Sequence, residues 1–152
     1  AALLSWPAKL TGQRTIDQAM GYVDVMPTIM DILKQQSTAE FDGISMLPVL
    51  TGEKKTIERN LYLGLGAVVS NEWKFIEKGH NPKMKMDSDM LFRIDTDPFE
   101  QTNVIDANKE KAAGLKSFVQ AYDTIQPPRP LPDYGYGQEG FVTPKEWKVT
   151  ED

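Results

Sequence analysis

The only histidine of the chain, His80, sits in Lys78-Gly79-His80-Asn81-Pro82-Lys83, a polar segment between two runs of strand-like alternation. Loops carry binding groups more often than cores do, and an imidazole beside an amide and an ammonium suits an anionic substrate. His80, Asn81 and Lys83 are therefore the candidate substrate-binding residues, set against the plainer reading of an exposed loop histidine with no partner. Asp87, Asp89, Asp95 and Asp97 have the number of carboxylates a calcium site would want. The alternating run between them splits the group, and no glycine or distal glutamate completes a calcium loop. With no cysteine there is no thiolate zinc site, cysteine nucleophile or disulfide framework. A lone histidine among scattered carboxylates lacks zinc-site spacing, so no metal ligands are expected in this chain. Gly64-Leu65-Gly66 has neither the third glycine nor the helix start of a phosphate cradle and reads as a bulge or turn.

The elements that would position the loop follow from periodicity. Met90 to Asp95 alternates, with Met90, Phe92 and Ile94 on one face and Leu91, Arg93 and Asp95 on the other, as a half-buried strand does. It runs into a corner in which Asp97 is placed to cap a new helical turn, Pro98 to occupy its first position, and Glu100 to complete a capping box. Asn60–Gly64, Ala67–Ser70 and Trp73–Glu77 are further short strands, the last two joined by a turn at Asn71-Glu72, so a four-stranded antiparallel sheet is expected. In Lys109–Ile125, Leu115, Phe118, Val119 and Tyr122 recur at the spacing of a helix laid on one sheet face.

Upstream, Ala1 to Trp6 is an apolar run ended by Pro7, which fits a strand buried on both faces as in a parallel sheet. Asp24 to Gln35 reads as a helix with Asp24 as N-cap and Pro27 in its first turn, and the stripe Met26, Ile29, Met30 and Leu33 reads as core packing. Ile44 to Leu50, interrupted by Pro48 and closed by Gly52, is a short helix or irregular packed segment. The polar run Thr51–Glu58 suits a linker, which divides the chain into residues 1–52, 53–125 and a Pro/Gly/aromatic tail over 126–152 that wraps the surface.

The 152 residues suffice for a real core, burying about 70% of the unfolded surface. A net charge of −5 with dispersed lysines argues against nucleic acid, and no apolar run approaches the roughly 20 residues of a membrane span. The chain starts at Ala1 with no visible leader, and a fragment, a processed product or a trimmed chain is expected.

Several of these segments, in order, resemble the C-terminal part of the sulfatase family, of arylsulfatase type. Asp24-Val25-Met26-Pro27-Thr28 is similar to the family's Asp-x-x-Pro-Thr helix, and Asp42 to Gly52 to its Asp-Gly-x-Ser-Leu-x-Pro-x-Leu-x-Gly segment. Arg59-Asn60-Leu61-Tyr62, Trp73-Lys74-Phe75-Ile76, Leu91-Phe92-Arg93-Ile94 and Asp97-Pro98-Phe99-Glu100 with Asn103 resemble its small-domain sheet and corner. The resemblance implies an α/β (α+β) architecture. It comprises the last strand and helix of an alkaline-phosphatase-like domain, then a small C-terminal domain with a four-stranded antiparallel sheet and a packed helix.

The same resemblance implies a parent that hydrolyses sulfate esters with formylglycine and calcium, both located upstream of Ala1, so that no residue here is catalytic. Ser5-Trp6-Pro7-Ala8-Lys9 imitates the Cys/Ser-x-Pro-x-Arg maturation motif but has Lys9 for the arginine and precedes the Asp-x-x-Pro-Thr helix, where the family has a structural strand. Expected partners are a missing N-terminal sulfatase domain or a second copy through residues 1–50, with a sulfated small molecule or glycan for the parent. A periplasmic or secreted location is implied by resemblance alone. The alternative is a stand-alone, non-catalytic binding or assembly module derived from such a domain.

Overall fold

The computed structural model describes residues 3–10, 12, 14–125, 140 and 142. Its centre is a four-stranded antiparallel sheet with strands in sequence order, β1 (Leu61–Gly64), β2 (Ala67–Ser70), β3 (Trp73–Ile76) and β4 (Met90–Arg93). Each strand is only four residues long, so register decides which side chains reach the core. Tyr62 opposes Val68, Val68 opposes Phe75 and Phe75 opposes Leu91, which draws one row of side chains across all four strands. Helix α3 (Lys109–Asp123) lies over that row, and Val68, Phe75 and Leu91 pack with its Ala112, Leu115 and Val119 as one buried cluster. The α+β class, the four strands and the packed helix are as the periodicities imply.

The alternation in β4 is only half the story. Leu91, not the Met90–Phe92–Ile94 face, meets α3, and Phe92 on the other face is buried as well. Lys74 opposes Phe92 in register, and its ammonium donates to both carboxylate oxygens of Glu100 at 2.6 and 2.7 Å, folding the corner after β4 back over that face. No helix starts at Pro98. The Asp97 carboxylate instead accepts the amides of Gln101 and Thr102, and Glu100 takes a left-handed conformation at φ 54°. The expected capping box fails because the Glu100 side chain goes to Lys74. Asn103 and Val104 then run beside β4, where Leu91 donates to Asn103 Oδ1 and Val104 donates to the Leu91 carbonyl. That cover satisfies groups an edge strand would leave exposed.

Two expectations upstream of the sheet are corrected. Leu3 to Trp6 form no strand, and the chain turns at once, Lys9 and Leu10 both donating to the Trp6 carbonyl. Leu3 is 98% exposed, so the apolar run has no neighbouring strand among the described residues. Helix α1 (Val25–Ile32) follows a single 3-10 turn at Tyr22–Asp24, but its Met-rich stripe is not core. Met26, Ile29 and Leu33 are 53, 43 and 59% exposed, and the buried residue of the helix is Thr28. The Thr28 hydroxyl donates to the Asp24 carbonyl and accepts from the Met46 amide, so a polar bridge joins α1 to the segment before α2 (Leu47–Thr51). Helix α2 ends at Gly52 with φ 84°, its Val49 and Leu50 carbonyls receiving the Arg14 guanidinium.

Gly64-Leu65-Gly66 is the β1–β2 turn, with a bulge between Tyr62 and Gly64, and Asn71 at φ 48° makes the β2–β3 turn. No helix among the described residues is long and apolar enough to cross a membrane. The expected wrapping tail falls on residues 126–152, of which only 140 and 142 are described.

Candidate functional site

The β3–β4 connection begins where β3 stops. Glu77 continues the strand direction, its amide donating to the Gly66 carbonyl, so its side chain is carried under the end of α3 and buried. Three residues later the chain has turned back, and His80 Nε2 meets Glu77 Oε2 at 3.0 Å. On the other side of the ring, Nδ1 lies 3.6 Å from Oδ1 of Asp123, the last residue of α3. His80 is therefore no partnerless loop histidine, which corrects the plainer of the two readings.

Gly66 is what allows the approach. A Cβ there would fall 2.7 Å from His80 Cβ and Cγ, and its φ of 74° already favours glycine. Tyr122, stacked on Tyr62 with ring centroids 4.4 Å apart, docks the last turn of α3 to β1 beside this point.

Helix α3 also pins both ends of the loop. Lys116 Nζ lies 3.3 Å from Glu77 Oε1 and 2.8 Å from Asp89 Oδ2, while Gln120 Nε2 donates to Glu77 Oε1 at 3.1 Å. The Lys78 amide donates to Asp89 Oδ1. Burial pushes the Asp89 carboxyl up, but the Lys116 ammonium, the Lys78 amide and the Lys78 charge together outweigh it and hold it below the ordinary carboxylate range. The Lys116 ammonium is held above its usual range first by Asp89 and then by Glu77. Within the loop, Asn81 Oδ1 accepts the Lys83 amide, and Lys83 itself is exposed. Of the three predicted site residues, the structure turns His80 toward Glu77 and Asp123 and leaves Lys83 at the surface.

A second polar cluster lies at the start of α1. Asp24 is not a side-chain cap of that helix. It is buried, accepting the Gly21 amide at 2.7 Å and the Ile44 amide at 3.0 Å, and it forms a close ion pair with Arg59. Burial pushes the Asp24 carboxyl up, yet Arg59 and the two amides more than offset this and hold it below its usual range. Arg59 Nε has no acceptor among the described residues, so the guanidinium depends on Asp24 for its compensation.

The residues that sequence reasoning did not single out are Glu77 and Asp123. Glu77 sits at i, i+3 from His80, a signal that was readable. Asp123 is far along the chain and arrives only through the packing of α3. Glu77, His80 and Asp123 form a group of three metal-capable side chains, where none was expected. It does not fit calcium, which takes about six to eight oxygens, because it offers one imidazole and two carboxylates of which Glu77 is already engaged by Lys116 and Gln120. Ser5 to Lys9 forms a simple turn, and among the described residues no group of metal-capable side chains lies around Ser5. Neither segment fits formylglycine or calcium, and no catalytic step is assigned to them.

With this geometry described, the chain is similar in sequence to sulfatases, and its fold is similar to part of a solved sulfatase structure. No family model matches it. It is 27% identical over 139 residues to N-acetylgalactosamine-6-O-sulfatase of Bacteroides thetaiotaomicron, covering 80% of this chain and 27% of that protein. It is also 38% identical over 58 residues to an ulvan-active sulfatase of Formosa agariphila, covering 38% of this chain and 11% of that one. A solved sulfatase structure from the glycosaminoglycan-metabolism locus of Bacteroides thetaiotaomicron matches with a TM-score of 0.62 at 21% identity, over 79% of this chain and 28% of that one. The chain thus spans about a quarter or less of the length of these relatives.

Proposed function

We propose that the chain is the C-terminal part of a sulfatase acting on sulfated glycans, with the formylglycine and calcium of the parent in the portion upstream. The observation that carries this reading is the agreement of fold over 79% of this chain with only 28% of a sulfatase structure. Both curated relatives are named for saccharide or polysaccharide sulfates, which is why a glycan is the substrate class chosen. Residues 1–52 then end the large domain, and residues 53–125 form the small sheet-and-helix domain.

The exposed stripe of Met26, Ile29 and Leu33, with Leu3 and Leu4 beside no strand, supports a covering partner: the remainder of the parent or, for the isolated chain, a second copy through residues 1–50. In the parent, His80, Asn81 and Lys83 form part of the rim of the cleft, with Lys83 the exposed cation that meets the anionic ester. The isolated chain, assayed with an aryl sulfate and calcium, is expected to show no turnover, and activity above background would overturn the assignment of the active site to the upstream portion. Light scattering is expected to report a dimer or larger species that Leu4→Lys or Ile29→Lys weakens.

A further inference from the structure

We propose that Glu77, His80 and Asp123 bind a divalent transition ion of the zinc class, stapling the β3–β4 loop to the end of α3. One ligating atom from each residue lies within 4.8 Å of one from each of the others. Tetrahedral zinc with nitrogen and oxygen ligands near 2.0–2.2 Å brings its ligands to about 3.4 Å from one another. The Glu77–His80 contact at 3.0 Å, made by Nε2, is already at that scale, whereas Asp123 lies on the Nδ1 side at 3.6 Å, so its side chain, 45% exposed at the helix end, turns to reach an ion on Nε2.

The imidazole separates this group from an ordinary acidic patch. Carboxylates alone suit calcium or magnesium, whereas one imidazole with two carboxylates suits zinc or cobalt, leaving a fourth position for water. The supporting contacts are those that orient metal ligands elsewhere. Lys116 and Gln120 both hold Glu77 Oε1, which leaves Oε2 directed at His80. Gly66 leaves room for His80 to come close to the β1–β2 turn. Binding exchanges the Glu77–His80 contact for two metal bonds and adds positive charge between two carboxylates. Both flanking elements, the end of β3 and the end of α3, are parts of the same core, so the backbones that carry the ligands are held near one another without the ion. The ion's role is therefore structural: it orders the loop that carries Asn81 and Lys83.

The test is zinc titration of the chelator-treated chain by calorimetry, with cobalt as a spectroscopic probe. Expected are one zinc per chain, a raised melting temperature, and a visible cobalt absorption that zinc abolishes and excess calcium does not. Changing a mere supporting residue around a metal lowers affinity 10–100-fold, so His80→Gln and Asp123→Asn, which remove ligands, are each expected to lower it by about 100-fold or more. No saturable zinc binding, unchanged binding in both variants, or displacement by calcium would each overturn the proposal. Should His80→Gln fail to fold in the absence of metal, Asp123→Asn, at a half-exposed helix end, decides the matter by itself.

Discussion

Replacing Arg59 with Met removes the cation from a buried pair and leaves Asp24 charged where only 3% of its surface is exposed. Breaking such a pair from one side costs about 3–5 kcal/mol, because the remaining ion keeps its burial and loses its partner. Asp24 still accepts the Gly21 and Ile44 amides, so the expected loss lies at the lower end, about 3 kcal/mol. Where that loss lands is the informative part. The Asp24 cluster ties Gly21, Ile44 and the start of α1 to Arg59 just before β1, whereas the sheet is held by its own contacts with α3.

The Gly21 and Ile44 amides of Arg59→Met are therefore expected to exchange with deuterium on the order of 100-fold faster, since each 1.36 kcal/mol is a factor of ten. The amides that pair β2 with β3, such as Val69 with Lys74, should keep their wild-type rates. Unchanged exchange at Gly21 and Ile44 would refute the role given to the pair. An equal acceleration throughout the sheet would refute the division near residue 52 into separately stable units.

Gly66→Ala is expected to lower stability by about 1–3 kcal/mol in urea melts, from the left-handed backbone and the 2.7 Å approach to His80 together. Leu91→Ala, at a fully buried position of the sheet, is expected to cost about 2–5 kcal/mol by the same measurement. Asp24 and Asp89 are both depressed in the folded chain, so the stability they contribute is complete above the unfolded carboxylate value of about 3.9 and is lost as pH falls through their lower folded values. Melting temperature followed from pH 5 down to pH 2 should fall with a shallower slope in Asp89→Asn.

The four strands, the turns at Gly64–Gly66 and Asn71-Glu72, and α3 were legible in the sequence because each is a local pattern: short alternations, turn residues and a 3.6-residue stripe. The sulfatase resemblance was legible for a similar reason, since it rests on short motifs in a fixed order. Tertiary structure alone decided which face each pattern buries. The stripe on α1 has the spacing of a core helix, yet Met26, Ile29 and Leu33 stay exposed among the described residues, while the polar Thr28 is buried because it bridges Asp24 to Met46. Glu100 looked like a capping residue and became the partner of Lys74, because β3 and β4 bring that ammonium to it across the sheet. His80 was singled out as a loop group, but its partners come from the end of β3 and the end of α3. Asp123 meets it only because the sheet register and the packing of α3 end that helix beside the β1–β2 turn, a distance relation that no window along the chain contains.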